Sequence, residues 1–120
     1  MNKREKVFMP ENAAIQYQLL QLLYYRHMSG EVRPLKTQEA YKLLESIFNL
    51  SNAQKEAVNA DGSSVWETRV RAAYEGLKKC GAVYAPNRGE LSLTDNGLKM
   101  MHELIYEIKE LSYKHSLQSE

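Results

Sequence analysis

Between Ser63 and Lys79 the chain carries two kinds of side chain that suit a nucleic acid. Arg69, Arg71, Lys78 and Lys79 are cations able to neutralise phosphates, and Ser63, Ser64 and Thr68 bring hydroxyls that can bond base edges. Placed on a helix at 100° per residue, Ser64, Thr68, Arg71, Glu75 and Lys79 share one face, opposite an apolar stripe of Trp66, Val70, Ala73 and Leu77. The start of such a helix also presents backbone N–H groups to a phosphate, beside Ser63 and Ser64. Further on, Asn87-Arg88-Gly89 places a cation at a turn, suited to the minor groove or the phosphate backbone. From Ser63 to Arg88 there are five basic residues and two acidic ones, Glu67 and Glu75. The same residues also suit an ordinary solvated surface, and carboxylates near phosphates repel. Arg69, at the edge of the apolar face, fits a structural ion pair as well as a phosphate contact.

Other chemistry is hard to build. His27, His102 and His115 lack ligand spacing, and His102-Glu103 is followed by Tyr106 where a zinc-protease helix needs its second histidine. There is no phosphate-loop or dinucleotide glycine pattern. A single cysteine, Cys80, excludes an internal disulfide and extends the apolar stripe, so it is expected to be buried. No nucleophile–base or metal constellation is visible, so the expectation is a non-enzyme without cofactor or metal. Tyr24 and Tyr25 could line an effector pocket, but a small-molecule effector is not expected.

The elements that must position these residues can be read from periodicity. The chain has 120 residues, a one-domain length, with 16 Lys plus Arg against 15 Asp plus Glu. That balance excludes a polybasic tail-type protein but not a local basic face. No apolar run approaches the roughly 20 residues that span a bilayer, and no secretion signal is seen, so the expected compartment is the cytoplasm. Residues 1–9 read as a frayed basic arm with Lys3, Arg4 and Lys6. Pro10 suits the first turn of a helix whose stripe is Ile15, Leu19, Leu22 and Leu23, ending near Gly30. Pro34-Leu35 reads as an extended piece. Thr37 is placed as the N-cap of a helix burying Tyr41, Leu44, Ile47 and Phe48. Ser51 with Gln54, and Ser64 with Glu67, have capping-box spacing and open a short helix to about Asn59 and a longer one ending at Gly81. Ala82–Pro86 and Glu90–Leu93 are strand candidates, and Thr94 caps a last helix running past Tyr113. Met9, Met28, Met100 and Met101 read as core fillers. The order is helix, helix, short helix, helix, hairpin, long helix. A tight glycine stop followed by a short hairpin makes this mainly α chain, with its β-hairpin wing, a winged helix-turn-helix over residues 10–100.

Several stretches resemble the N-terminal domain of the Mrr family of restriction proteins. These are Leu50-Ser51 and the loop at Asp61-Gly62, Trp66, Thr68-Arg69-Val70, Leu77-Lys78-Lys79-Cys80-Gly81, Arg88-Gly89, and Leu93-Thr94 with Gly97. The resemblance covers about Asn12 to Met100. Thr68 stands where the family usually has Asn, and Ala72 where it often has Trp. The resemblance implies a DNA-reading winged helix, a domain the family pairs with a nuclease acting on modified DNA. Nothing in the 120 residues reads as that nuclease.

Residues 101–120 extend the last helix beyond the resemblance. Leu98, Met101, Leu104, Ile105, Ile108 and Leu111 keep heptad-like spacing, which points to a homodimer, while folding back onto the same domain remains open. The combined expectation is a protein that binds double-stranded DNA, as a transcription regulator or as the recognition module of a restriction or defence system. The alternative is a protein–protein interaction module on the same scaffold.

Overall fold

The structure is a computed structural model that describes residues 7–118. Lys3, Arg4 and Lys6 lie outside the described residues. Of the expected arm, the Phe8 carbonyl accepts a bond from Gln54 Nε2 at 2.7 Å, and Met9 packs against the core.

Among the described residues there are five helices and three short strands. They are α1 (Asn12–Met28), β1 (Leu35–Lys36), α2 (Thr37–Ile47), α3 (Asn52–Glu56), α4 (Val65–Lys79), β2 (Val83–Tyr84), β3 (Glu90–Leu93) and α5 (Asp95–Gln118). The longer helices form where apolar residues recur at helical spacing, whereas α3 buries nothing and rests on its Ser51–Gln54 capping box. Ile15, Leu19, Leu20 and Leu23 of α1 face Val70, Ala73 and Leu77 of α4, and Ala40, Tyr41 and Leu44 of α2 close the cluster. Trp66 sits at its centre, its ring edge-to-face with Phe48 at 6.0 Å and its Nε1 donating to the Tyr41 carbonyl at 3.0 Å. A buried indole needs such an acceptor, and here it ties α4 to α2.

Three helices stop in the same way. At the end of α4, Ala82 N–H donates to the Leu77 carbonyl and Gly81 N–H to that of Lys78, with Gly81 at φ 79°. This is the Schellman arrangement, which needs a left-handed residue just past the cap. The ends of α1 and α2 repeat it, α2 with Asn49 at φ 50° in the glycine's place.

The sheet contains a strand that periodicity did not pair. β3 lies in the middle, with β1 and β2 antiparallel on either side: Leu35 opposite Leu91, and Val83 opposite Leu93. Pro34-Leu35 was expected only as extended chain. Its pairing depends on where the hairpin lands, and two residues carry no period-2 signal of their own.

Several local expectations need correction. Pro10 precedes the N-cap, Glu11, rather than sitting in the first turn. Thr37 is the first helical residue and Lys36 the N-cap, because Thr37 N–H bonds the Gly89 carbonyl across to the hairpin turn. α3 stops at Glu56, since Ala57 turns extended and Val58 bridges Ser64. β2 has two residues rather than five. Cys80 is exposed, being the C-cap of α4, where the chain leaves the core-facing spiral. Ile47 is 45% exposed and Met28 59%, as both lie at helix ends beyond the core's reach. The capping boxes divide: Ser51–Gln54 is complete, whereas Ser64 accepts from Glu67 N–H with no return bond found.

Candidate nucleic-acid interface

α4 buries Trp66, Val70, Ala73 and Leu77 and leaves Thr68, Arg69, Arg71, Glu75 and Lys79 exposed. The sequence-derived division into faces therefore holds. The exposed residues do not form one patch, however, because their side chains turn to different neighbours.

The α2 flank holds the most ordered group. The Arg71 guanidinium sits against the hydroxyls of Tyr41 and Tyr74. Burial, with a bond to Tyr74, pushes the Tyr41 hydroxyl up from its ordinary range, while Arg71 beside it acts in the opposite sense. The Tyr41 hydroxyl therefore stays neutral, and Arg71, held above its ordinary range by the two tyrosine hydroxyls, keeps its full charge on an exposed surface. Lys78 lies 3.1 Å from a Glu75 oxygen and 5.8 Å from the centre of the Tyr74 ring. That ion pair is exposed and worth little, so a phosphate can compete for the lysine.

The N-terminal end of α4 is occupied by its own loop. Ser64 Oγ accepts from Glu67 N–H at 3.1 Å. Thr68 Oγ1 donates to the Ser64 carbonyl at 2.8 Å and accepts from Asn59. Ser63 Oγ donates to Asp61 at 2.6 Å, and Ser63 N–H donates to the same carboxylate, which holds the Asp61 carboxyl below its usual range. The hydroxyls singled out from sequence thus serve the turn between α3 and α4. On the α1 flank, Arg69 and Thr68 border a small hollow with Asn12, Ile15 and Ala72, and no ion pair to Arg69 is found among the described residues.

The hairpin turn lies beside α2 rather than apart from it. Thr37 N–H donates to the Gly89 carbonyl at 2.9 Å, and Asn87 Nδ2 donates to Glu90 at 2.7 Å. Arg88 is exposed at the tip, and Lys36 stands opposite Glu90 at its base. Sequence reasoning missed Tyr41, Tyr74 and Lys36. The Tyr41 hydroxyl was hidden because the residue reads as core, which it also is.

On α5, Met101 is buried in its own domain, and Leu98, Leu104 and Ile105 are half-buried. Met101 is therefore not free to meet a partner. Ile108 and Leu111 are exposed, at 45% and 67%. Tyr24 packs edge-to-face on His102 at 5.4 Å and edge-on against Tyr25 at 6.0 Å. No helix of the described residues is long and apolar enough to cross a membrane, and no group of three metal-ligating side chains occurs among them.

A helix pair bridged by a short helix, followed by a two-stranded wing with the second long helix left open on one face, defines a winged helix-turn-helix protein. The chain belongs to the family of the Mrr N-terminal domain, which matches residues 16–103. The match takes in α4, the wing and the start of α5, and no nuclease domain is detected in the chain. No match is found among curated proteins or solved structures.

Proposed function

We propose that this protein is a non-catalytic module that binds double-stranded DNA, with α4 against the major groove and the Arg88 turn on the flanking backbone. It serves as the recognition part of a restriction-type system or as a regulator of transcription. The observation that carries the reading is Arg71. It is a fully charged guanidinium, exposed in the middle of α4 and braced by two tyrosine hydroxyls, within a fold whose family pairs it with action on DNA. A braced side chain loses less freedom on meeting a phosphate or a guanine edge than a free one.

Lys78, Lys79, Arg69 and Arg88 supply the rest of the charge. The hydroxyls of Ser63, Ser64 and Thr68 and the amide of Asn87 act by shaping the loop and wing, and reach DNA only by exchanging their present bonds. With five cations at the surface, binding to random duplex should be weak and steep in salt. The slope should be about −4.5 in log K against log salt, at roughly −0.9 per neutralised phosphate. Fluorescence anisotropy across a salt series reads this directly.

Arg71→Glu should lower affinity at least about tenfold and flatten the slope by about one, with the circular dichroism spectrum unchanged. Binding unaltered by that change would remove α4 from the interface. One observation favours a second reading, a protein-interaction module: Glu75 and Glu67 interrupt the basic face, and Lys78 is already paired. Weak affinity that is flat in salt would select it.

A further inference from the structure

We propose that α5 pairs antiparallel with α5 of a second copy of this chain, along the stretch from Leu104 to Leu117. The inference is independent of DNA binding.

The first half of α5 is anchored: Met101 is buried, and Leu104 packs against the core. From Tyr106 to Leu117 every residue is exposed, yet the helix continues. At 1.5 Å per residue those twelve residues project about 18 Å. A helical segment of that length is marginal in water without a packed face. The apolar face does not stop where the domain does. At 100° per residue, Ile108 and Leu111 lie on the side of α5 that Met101 and Leu104 turn to the core. The helix thus carries a buried seam past the end of what buries it. The opposite side carries Tyr106, whose hydroxyl donates to Glu110 at 3.0 Å, and is the more polar of the two.

Charge says what covers the seam, and in which direction. With Met101, Ile108 and His115 at one core position of a heptad and Leu104 and Leu111 at the other, Glu107 and Lys114 occupy the same flanking position one heptad apart. Neither forms an ion pair among the described residues. In an antiparallel pair, Ile108 stacks across from Leu111 of the second copy. That layer brings Glu107 opposite the second copy's Lys114, and the two-fold axis repeats the pair. A parallel pair would instead set Glu107 against Ser112 and form no charge pair.

The surroundings agree with the antiparallel choice. Leu20 of α1 with Met100, Met101 and Leu104 forms an open groove of about 300 Å³, rimmed by Glu103 and Glu107. The second copy's Lys114 would arrive at this acidic rim. The helix overhang fills the partner's groove end while the two winged domains stay at opposite ends.

The test is analytical ultracentrifugation of the full chain without DNA, over a concentration series. The wild type should dimerise. Glu107→Lys and Lys114→Glu should each weaken the dimer roughly tenfold, since two attractive pairs become two repulsive ones. The double variant should recover wild-type affinity, and an equimolar mixture of the two single variants should form a heterodimer in preference to either homodimer. Circular dichroism of each variant checks that α5 persists. A monomer at every concentration overturns the proposal. So does a dimer indifferent to both single changes, which would indicate parallel pairing or another face.

Discussion

Arg71 and Ser63 illustrate how the same surface reading divides once side chains have neighbours. Both were placed at the interface because of residue type and position. Arg71 keeps its charge outward, steadied by Tyr41 and Tyr74, whereas Ser63 bonds Asp61 with both its hydroxyl and its N–H. The second arrangement has a pH consequence with a definite sign. The folded Asp61 carboxyl lies below its ordinary range, so its bonds to Ser63 are intact above that range. They are lost as pH falls through the lowered value, and the loop ahead of α4 should loosen only in acid. A carbon-detected NMR titration should find Asp61 titrating below an unperturbed aspartate, and Ser63→Ala should bring it back towards the usual range. An Asp61 that titrates normally in the wild type would show that the Ser63 bonds do not persist in solution.

At the scale of elements, α5 docks closely on the chain between α4 and the hairpin. Gly97, in the first turn of α5, faces the Ala82 carbonyl at the end of the α4 stop. A Cβ there would collide with that carbonyl and lie 2.8 Å from Leu93 Cδ1. Thr94 holds the same junction, its Oγ1 accepting from Gly97 N–H at 2.9 Å and reaching the Ala82 carbonyl at 3.0 Å. The main chain at Ala82 cannot retreat, because its N–H completes the α4 stop and its carbonyl accepts from Thr94 N–H. Gly97→Ala is therefore expected to destabilise by about 1–3 kcal/mol despite alanine's better helix propensity. Urea denaturation measures it. A neutral or stabilising result would mean that α5 docks less closely than described.

At the scale of the whole molecule, a modest basic face and an overhanging helix complement each other. On the proposed function, five cations per copy would give weak binding, and two copies joined through α5 would engage DNA together with an effective concentration set by the rigid helix pair. Leu111→Asp places a charge in the proposed seam but lies outside the winged domain's core. It should lower apparent affinity several-fold on a duplex long enough for two copies. On a duplex that accommodates one copy, it should leave affinity unchanged. Loss on both lengths would mean that the change damages the domain itself, and loss on neither would mean that the copies bind separately.

The sequence by itself determined the order of the helices and the hairpin, and the division of α4 into a buried and an open face. Both follow from local signals: apolar spacing at 3.6 residues, serine caps, and a glycine where a left-handed residue must stand. The resemblance in the Leu77–Gly81 stretch and around Trp66 named the family, because those residues are constrained by the α4 stop and by the α2 contact. Tertiary structure decided what a window of a few residues cannot hold. β1 became a strand only because the β2–β3 hairpin arrives beside Leu35, and Thr37 lost its capping place to a bond from across the sheet. Cys80 was moved out of the core by the turn that ends its helix. The candidate interface was sorted by the same cause. Whether a polar side chain is free or engaged depends on what the fold sets beside it, and for Ser64, Thr68 and Arg71 that was settled by the Asn59 loop and by the two tyrosines of α2 and α4.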